Sequence, residues 1–356
     1  MPAYRVLHFC LPNDDNLGDE LAHSVLPNCF ESYGVSLDVQ RRDIRSLINT
    51  STFLDNQVES YNQDYDLIVI GAGGLLLPFF IDGIFEDTDS WSRIEIPLVF
   101  FGVGIIGEFV EQSWYTSVSP RDNQHVVSAL NAATAISVRD LRTWLFASRL
   151  VTKHHNQIFL TGCPSVFQTR AGPVNLEYTH DLALNLPFTH AGCYEYQKQI
   201  LQLAELIVRN VPGIKWICHS AVEFEHATRF RKEGGFGFDI AYPRTAFEIG
   251  KEYVSCKSGF VTKAHAAIFC LANNIPFGFL SYDMKCDALM EMMVDHPHHY
   301  LCHIDELKTE TLAESTQKIM NNLVRDSKAI KRAQCLLLDR FQSEFDGFVE
   351  FIKRKL

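Results

Sequence analysis

The sequence predicts an α/β protein made of two parallel-sheet domains in series. Three observations carry this. Short apolar runs alternate with helical patterns, as in βα units. Several runs end in glycine, where a strand turns toward a helix. The alternation restarts after a polar, Gly/Pro-containing stretch, Gln168 to His180. The chain has 356 residues, too many for one ordinary core and suited to two domains of roughly 150 residues.

In chain order, Tyr4 to Leu11 reads as a first strand. Asp19 to Phe30 follows as a helix with Leu21, Val25, Leu26 and Phe30 on one face. Tyr65 to Ile70 is a strand ending in Gly71-Ala72-Gly73-Gly74, and Pro97 to Val103 is another that ends at a glycine. Ala133 to Val138 and Gln157 to Leu160 continue the series. The second series comprises Asp181 to Leu186, the helix Tyr196 to Val208, then Ile214 to Cys218, Tyr253 to Ser255, Ile275 to Leu280 and Tyr300 to Ile304. Residues 312–356 read as helices, with Phe341, Phe345, Phe348 and Ile352 at helical spacing. Two such domains imply a cleft lined by the carboxyl ends of strands.

Hydrophobic content of 47% and charged content of 21% describe a soluble globular chain. A net charge of -11 excludes a general nucleic-acid binder, so any anion site must be local. The 10 cysteines show neither CxxC nor paired metal spacing, which fits free thiols in a reducing cytosol. The chain opens directly into a strand-like run without a signal-peptide pattern, and no apolar run reaches the ~18 residues of a spanning helix. We therefore expect a cytoplasmic protein, with any membrane contact peripheral. The terminal Lys353-Arg354-Lys355 reads either as the charged end of a packed helix or as part of a basic amphipathic helix on the inner membrane face. The interspersed Glu344, Asp346 and Glu350 count against the second reading.

Chemistry-bearing residues fall where strands turn into helices. Thr262-Lys263-Ala264-His265 places a cation and a proton-transfer group at the start of the helix-like Ala266 to Asn273. Ser281-Tyr282-Asp283-Met284-Lys285 adds a second lysine one strand later. This suits a small, highly charged anion, and His265 is the catalytic candidate because a histidine titrates near neutrality. Asn16-Leu17-Gly18-Asp19 is either an anion-binding helix start or a turn with Asp19 as cap. The Gly71–Gly74 cluster is either an amide nest or a tight packed turn, and it lacks the Walker lysine and serine. In Ser137-Val138-Arg139-Asp140, Arg139 either offers a planar fork to carboxylate or phosphate or pairs with Asp140 at the helix start. Thr161-Gly162-Cys163-Pro164-Ser165 permits close approach, with Cys163 an unpromising nucleophile. His296-Pro297-His298-His299 matches no standard metal spacing and reads as a polar loop.

These motifs, in this order from about Asn16 to Lys285, resemble the polysaccharide pyruvyl transferase family. The resemblance implies two Rossmann-like domains, residues 1–170 and 180–310, facing a cleft in the GT-B arrangement. Helices over 311–356 would pack across them. It implies phosphoenolpyruvate as donor, two hydroxyls of a glycan sugar as acceptor, and a pyruvate ketal on a cell-surface polysaccharide or its lipid-linked precursor. No metal or other cofactor is implied. The implied catalytic residues are His265, Arg139 and Lys263. The implied substrate contacts are Asn16, Gly18, Asp19, Gly73, Gly74, Cys163, Pro164, Ser165 and Lys285. Asp19, Glu223 and Glu225 are the acidic candidates for activating the sugar. Two departures stand out. Lys263-Ala264-His265 replaces the family's Arg-Leu-His, which keeps the charge but loses the bidentate fork, and Ala72 stands where a further glycine is common. The alternatives are a GT-B glycosyltransferase using a nucleotide sugar and a non-catalytic glycan-binding relative.

Overall fold

A computed structural model describes residues 3–11, 17–47, 53–76, 85, 88–106, 124–152, 157–168, 178–186, 196–304 and 312–356. The chain divides into two compact units. One comprises residues 1–12, 22–164 and 339–356, the other residues 13–21 and 165–338.

The first unit holds a six-stranded parallel sheet of order β2-β1-β3-β4-β5-β6. Its strands are β1 Tyr4–Cys10, β2 Leu37–Asp43, β3 Leu67–Leu76, β4 Leu98–Ile105, β5 Ala135–Val138 and β6 Ile158–Leu160. β3 and β4 are near-continuous apolar runs because helices cover both faces of a parallel sheet. β2 lies at an edge and is polar and half exposed, which is why hydrophobic periodicity does not reveal it. Two expectations are corrected here. The helix foreseen over Asp19 to Phe30 is two helices, Leu17–Ser24 and Leu26–Glu31, the second with Pro27 in its first turn, where a missing N–H costs nothing. The glycine cluster does not follow a strand but lies inside β3, which runs on to Leu76.

The long helix Ser327–Lys353 completes this core. Phe341, Phe345, Phe348, Val349 and Ile352 are all buried. Phe348 stacks on Phe101 with ring centres 6.1 Å apart and meets Phe159 edge-on at 5.7 Å. Each fully buried phenylalanine contributes about 1.5–3 kcal/mol of apolar burial. The apolar face that sequence alone leaves open to a membrane is thus occupied by the first unit's own core. No described helix is long and apolar enough to cross a membrane.

The second unit holds another six-stranded parallel sheet, of order β12-β11-β10-β7-β8-β9. Its strands are β7 His180–Leu184, β8 Ile214–Ile217, β9 Asp239–Ala241, β10 Cys256–Val261, β11 Phe277–Ser281 and β12 Leu301–His303. Helix Gln197–Asn210 buries Ile200, Leu203, Ala204 and Ile207, the spacing of a single core-facing stripe. Helix Ala264–Ala272 is apolar all round and buried from Ala266 onward. The strand expected at Tyr253 to Ser255 is instead the end of helix Ala246–Val254, and the true strand, β10, follows it. A capping box at Thr245 and Glu248 fixes the start of that helix. The domain break expected within Gln168 to His180 falls mostly outside the described residues. Among the described residues every cysteine is a free thiol, with only Cys302 and Cys335 not buried.

Each sheet has a point where the chain's winding reverses, between β1 and β3 in the first and between β7 and β10 in the second. In open parallel sheets the crevice outside the carboxyl ends at such a point is where ligands bind.

Candidate functional site

At the second reversal, Asn185 joins three strand ends. Its backbone N–H donates to the Phe260 carbonyl at 3.1 Å and its side-chain amide to the Ile217 carbonyl at 3.0 Å. Its carbonyl accepts from the Thr262 hydroxyl at 3.1 Å, and its Oδ1 from the Lys263 amide at 3.3 Å. β7, β8 and β10 are thereby locked in register just where Lys263 leaves the sheet. Lys263 is the N-cap of helix Ala264–Ala272 and makes no side-chain cap bond, so the orphan amides of the first turn are not satisfied by the cap residue.

Lys263 is itself buried, and its Nζ lies 2.5 Å from Glu223 Oε1. Glu223 is fully buried. Its other oxygen accepts from the His219 amide at 2.7 Å, and its own amide donates to Ser220 Oγ at 3.3 Å. Ser220 caps helix Ala221–Gly234, so the Ser220-x-x-Glu223 spacing of a helix start aims a carboxylate at Lys263. His219 is buried between Tyr253 and Phe269, with its Nε2 2.9 Å from the Tyr253 hydroxyl. Burial above all, and then the charges of Lys263 and His265, hold His219 neutral, well below the usual histidine range. His265 stands half-buried in the first turn of helix Ala264–Ala272.

Lys285 belongs to the same sheet edge, one strand further on. Asp283 caps helix Met284–Met293 by accepting from the Lys285 amide at 2.9 Å. The Lys285 ammonium lies 5.1 Å from the centre of the Tyr282 ring and 3.9 Å from Asp283. Ser165 opens helix Ser165–Gln168 in this unit and is buried.

In the first unit Arg139 follows β5. Its Nη2 donates to the Ile105 carbonyl at 2.7 Å and its Nε to Asp140 at 3.1 Å. A Cβ at Gly104 would stand 2.1 Å from Arg139 Nε, so only glycine lets the guanidinium lie across β4. Arg139 thus pairs with Asp140 at the helix start. Asp140 is buried and caps helix Leu141–Leu150, accepting from the Thr143 amide and hydroxyl, both at 2.8 Å. Gly73 has open space where its side chain would be, whereas the Ile106 side chain fills that place at Gly74. Close packing of Ile106 thus requires a glycine at position 74. Pro164 lies against Gly102, and Cys163 is buried beside Cys29. Gly18 and Asp19 lie within helix Leu17–Ser24, so Asp19 is not its cap, and Asn16 lies outside the described residues.

The first reversal also gathers a group that its sequence spacing does not announce. His8 and Cys10, alternate residues of β1, come within 4.8 Å of His23 at their ligand atoms, all three buried. His8 Nε2 donates to the Gly71 carbonyl and leaves Nδ1 without a partner. Burial, with His23 second, lowers the His8 pKa to about 3. The His23 Nδ1 lone pair is taken by the Ala72 amide at 3.1 Å. The neutral His23 ring therefore carries its proton on Nε2 and is poorly disposed to ligate an ion. The exposed His296 and His298 and the half-buried His299 cluster without forming such a group.

Residues 16–284 match the family described as polysaccharide pyruvyl transferase. The chain belongs to this family. No curated protein sequence matches it significantly. Among solved structures it is similar to the S. aureus MnaA–UDP co-structure, at 9% identity and a TM-score of 0.57, covering 93% of this chain and 90% of that one. It is also similar to the Methanocaldococcus jannaschii UDP-GlcNAc 2-epimerase in complex with UDP-GlcNAc and UDP, at 10% identity and 0.52, covering 89% and 92%. At these identities the likeness establishes the fold, which is GT-B. The chain is thus a GT-B-fold member of a transferase family of polysaccharide biosynthesis.

Proposed function

We propose that this pyruvyl transferase moves the enolpyruvyl group of phosphoenolpyruvate onto two hydroxyls of a glycan sugar, forming a pyruvate ketal. The observation that supports it most is the Lys263–His265 pair at the second sheet's reversal. A cation and a titratable imidazole there flank a helix start whose cap residue makes no side-chain cap bond. An anion accepts from free amides at a helix N-terminus, and the cation adds charge. A proton donor two residues on is what the methylene carbon of an enol phosphate needs for activation.

In this scheme Lys263 holds an anionic group of the donor, and Arg139 is a donor-binding residue of the first unit. Protonated His265 gives its proton to the methylene carbon of phosphoenolpyruvate. The central carbon gains positive character and is attacked by one sugar hydroxyl, which loses its proton. Phosphate then leaves, and the second hydroxyl closes the ketal with loss of its own proton. The cations stabilise the departing phosphate as preorganised charge. In sum one C–H bond and two C–O bonds form at the donor, its bond to the phosphate oxygen breaks, and two hydroxyl protons are released, with no redox change.

Calorimetry with phosphoenolpyruvate on the native protein and on Arg139→Ala tests the donor. Binding that weakens in the variant supports the proposal. Binding of nucleotide sugars with none of phosphoenolpyruvate transfers the site to a glycosyltransferase. Glycan binding without phosphate release from phosphoenolpyruvate would mark a non-catalytic relative. The acceptor, lipid-linked or free, is then identified by phosphate release in the presence of candidate glycans.

A further inference from the structure

The second unit presents its site lysine already paired. Lys263 Nζ touches Glu223 at 2.5 Å, and Glu223 is fully buried with its second oxygen held by the His219 amide. Nothing in the proposed chemistry uses this carboxylate. It cannot activate an acceptor hydroxyl, because one oxygen faces Lys263, the other faces backbone, and neither is open to solvent. Simple anion capture would also be better served without it, since a carboxylate beside the ammonium opposes an incoming phosphate. A buried charge pair adds little net stability over apolar packing, so stability alone does not explain it.

We propose that Glu223 is a positioning and charge-setting residue of the anion site. It fixes the Lys263 ammonium at the strand edge and weakens its pull on phosphate, so that the site holds a phosphorylated donor without retaining the inorganic phosphate it releases. The inference rests on the reading of Lys263 as an anion-binding residue. Its parts are supplied by four elements. β8 leads to His219 and Cys218, helix Ala221–Gly234 carries Glu223, β10 leads to Lys263, and helix Ala264–Ala272 carries His265. Tyr253, from helix Ala246–Val254, closes the far side of His219. Of these groups Lys263 and Glu223 form the ion pair, and His219 is held neutral.

Inorganic phosphate is the probe, because its binding does not depend on which donor the enzyme uses. Glu223→Gln keeps shape and removes charge. It should bind phosphate roughly tenfold more tightly than the native protein, the scale of removing one opposing charge near the site. In turnover with phosphoenolpyruvate it should lower both KM and kcat, since product is held and the ammonium is less well placed. The double variant Lys263→Met with Glu223→Gln carries no uncompensated buried charge and should lose the gain. Glu223→Asp, which retains the charge, should bind phosphate within about twofold of the native protein and guards against a Gln variant that folds poorly.

Unchanged or weaker phosphate binding by folded Glu223→Gln overturns the proposal. So does a gain that survives in the double variant, or an equal gain in Glu223→Asp, or absence of phosphate binding in every protein. If the phosphate results hold but no variant consumes phosphoenolpyruvate, the donor assignment fails while the role of Glu223 stands.

Discussion

At the carboxyl edge of the first sheet the groups on offer are largely backbone. Gly73 leaves open space, β3 runs through its own glycine cluster, and Arg139 is laid across Gly104 with its fork partly used by the Ile105 carbonyl and Asp140. At the edge of the second sheet they are side chains, with Asn185, Glu223, Lys263 and His265 drawn from four different elements. The first edge depends on what is missing, namely side chains that would collide. The second depends on charges that must be present and matched. Substitutions should therefore fail differently in the two units, through clash in one and through lost charge or proton transfer in the other.

The largest expected effect lies in the second unit. His265→Gln should cut turnover by roughly 10²–10⁴-fold, the usual worth of a general acid, with phosphoenolpyruvate affinity nearly unchanged. Native-like turnover in that variant removes His265 from the chemistry. Lys263→Met should cost about 3 kcal/mol of stability, because it strands buried Glu223 without a partner. Urea unfolding of that variant, set beside the double variant lacking both charges, measures it, and equal midpoints would dissolve the contrast drawn above.

Clash is the expected mode in the first unit. Gly104→Ala should weaken phosphoenolpyruvate binding about as much as Arg139→Ala, by roughly tenfold, because the added methyl displaces the guanidinium rather than removing it. Calorimetry on both variants decides, and full affinity in Gly104→Ala would mean that the position of Arg139 over β4 is immaterial.

Acid sharpens the comparison from another side. The His8 pKa falls to about 3 on folding, against an ordinary value of 6.5. The folded state therefore binds fewer protons than the unfolded one between those values. Stability from this group is complete above about pH 6.5 and declines as pH falls toward 3. A His8→Gln variant should show a flatter acid limb in thermal unfolding than the native chain. An unaltered slope would show that His8 is not the group that titrates. The smallest effect should be Thr245→Ala, which removes a capping box at the cost of about 1 kcal/mol.

The sheets were legible where strands are apolar and buried on both faces. β3 and β4 stand out because Leu-Ile-Val-Ile and Leu-Val-Phe-Phe open them, and β1 and β11 because their apolar residues are buried. β10 does not, since Cys256-Lys257-Ser258-Gly259 opens it with small or polar residues, while the preceding Tyr253-Val254 looks strand-like and is the end of a helix. β2 and β9 are edge strands with exposed faces. At the site, Lys263, His265 and Arg139 announce themselves by charge at strand ends. Asn185 does not, because its role is to bond three backbones that meet only in the folded sheet. Glu223 had a local signal in the Ser220-x-x-Glu223 spacing, which locates a helix start but not the lysine forty residues later that the carboxylate meets. His8 on β1 and His23 on helix Leu17–Ser24 likewise become neighbours only in the fold, where they meet Gly71 and Ala72 of β3.

The helix Ser327–Lys353 has a consequence for biogenesis. Its first residues are counted with the second unit and its last with the first, where Phe345 and Phe348 pack on Phe30 and Phe101. During synthesis, residues 165–338 leave the ribosome before the segment that completes the first unit's core. The part of the protein that is made first is therefore finished last, and until residues 339–356 arrive its aromatic core stands open to chaperones and to aggregation.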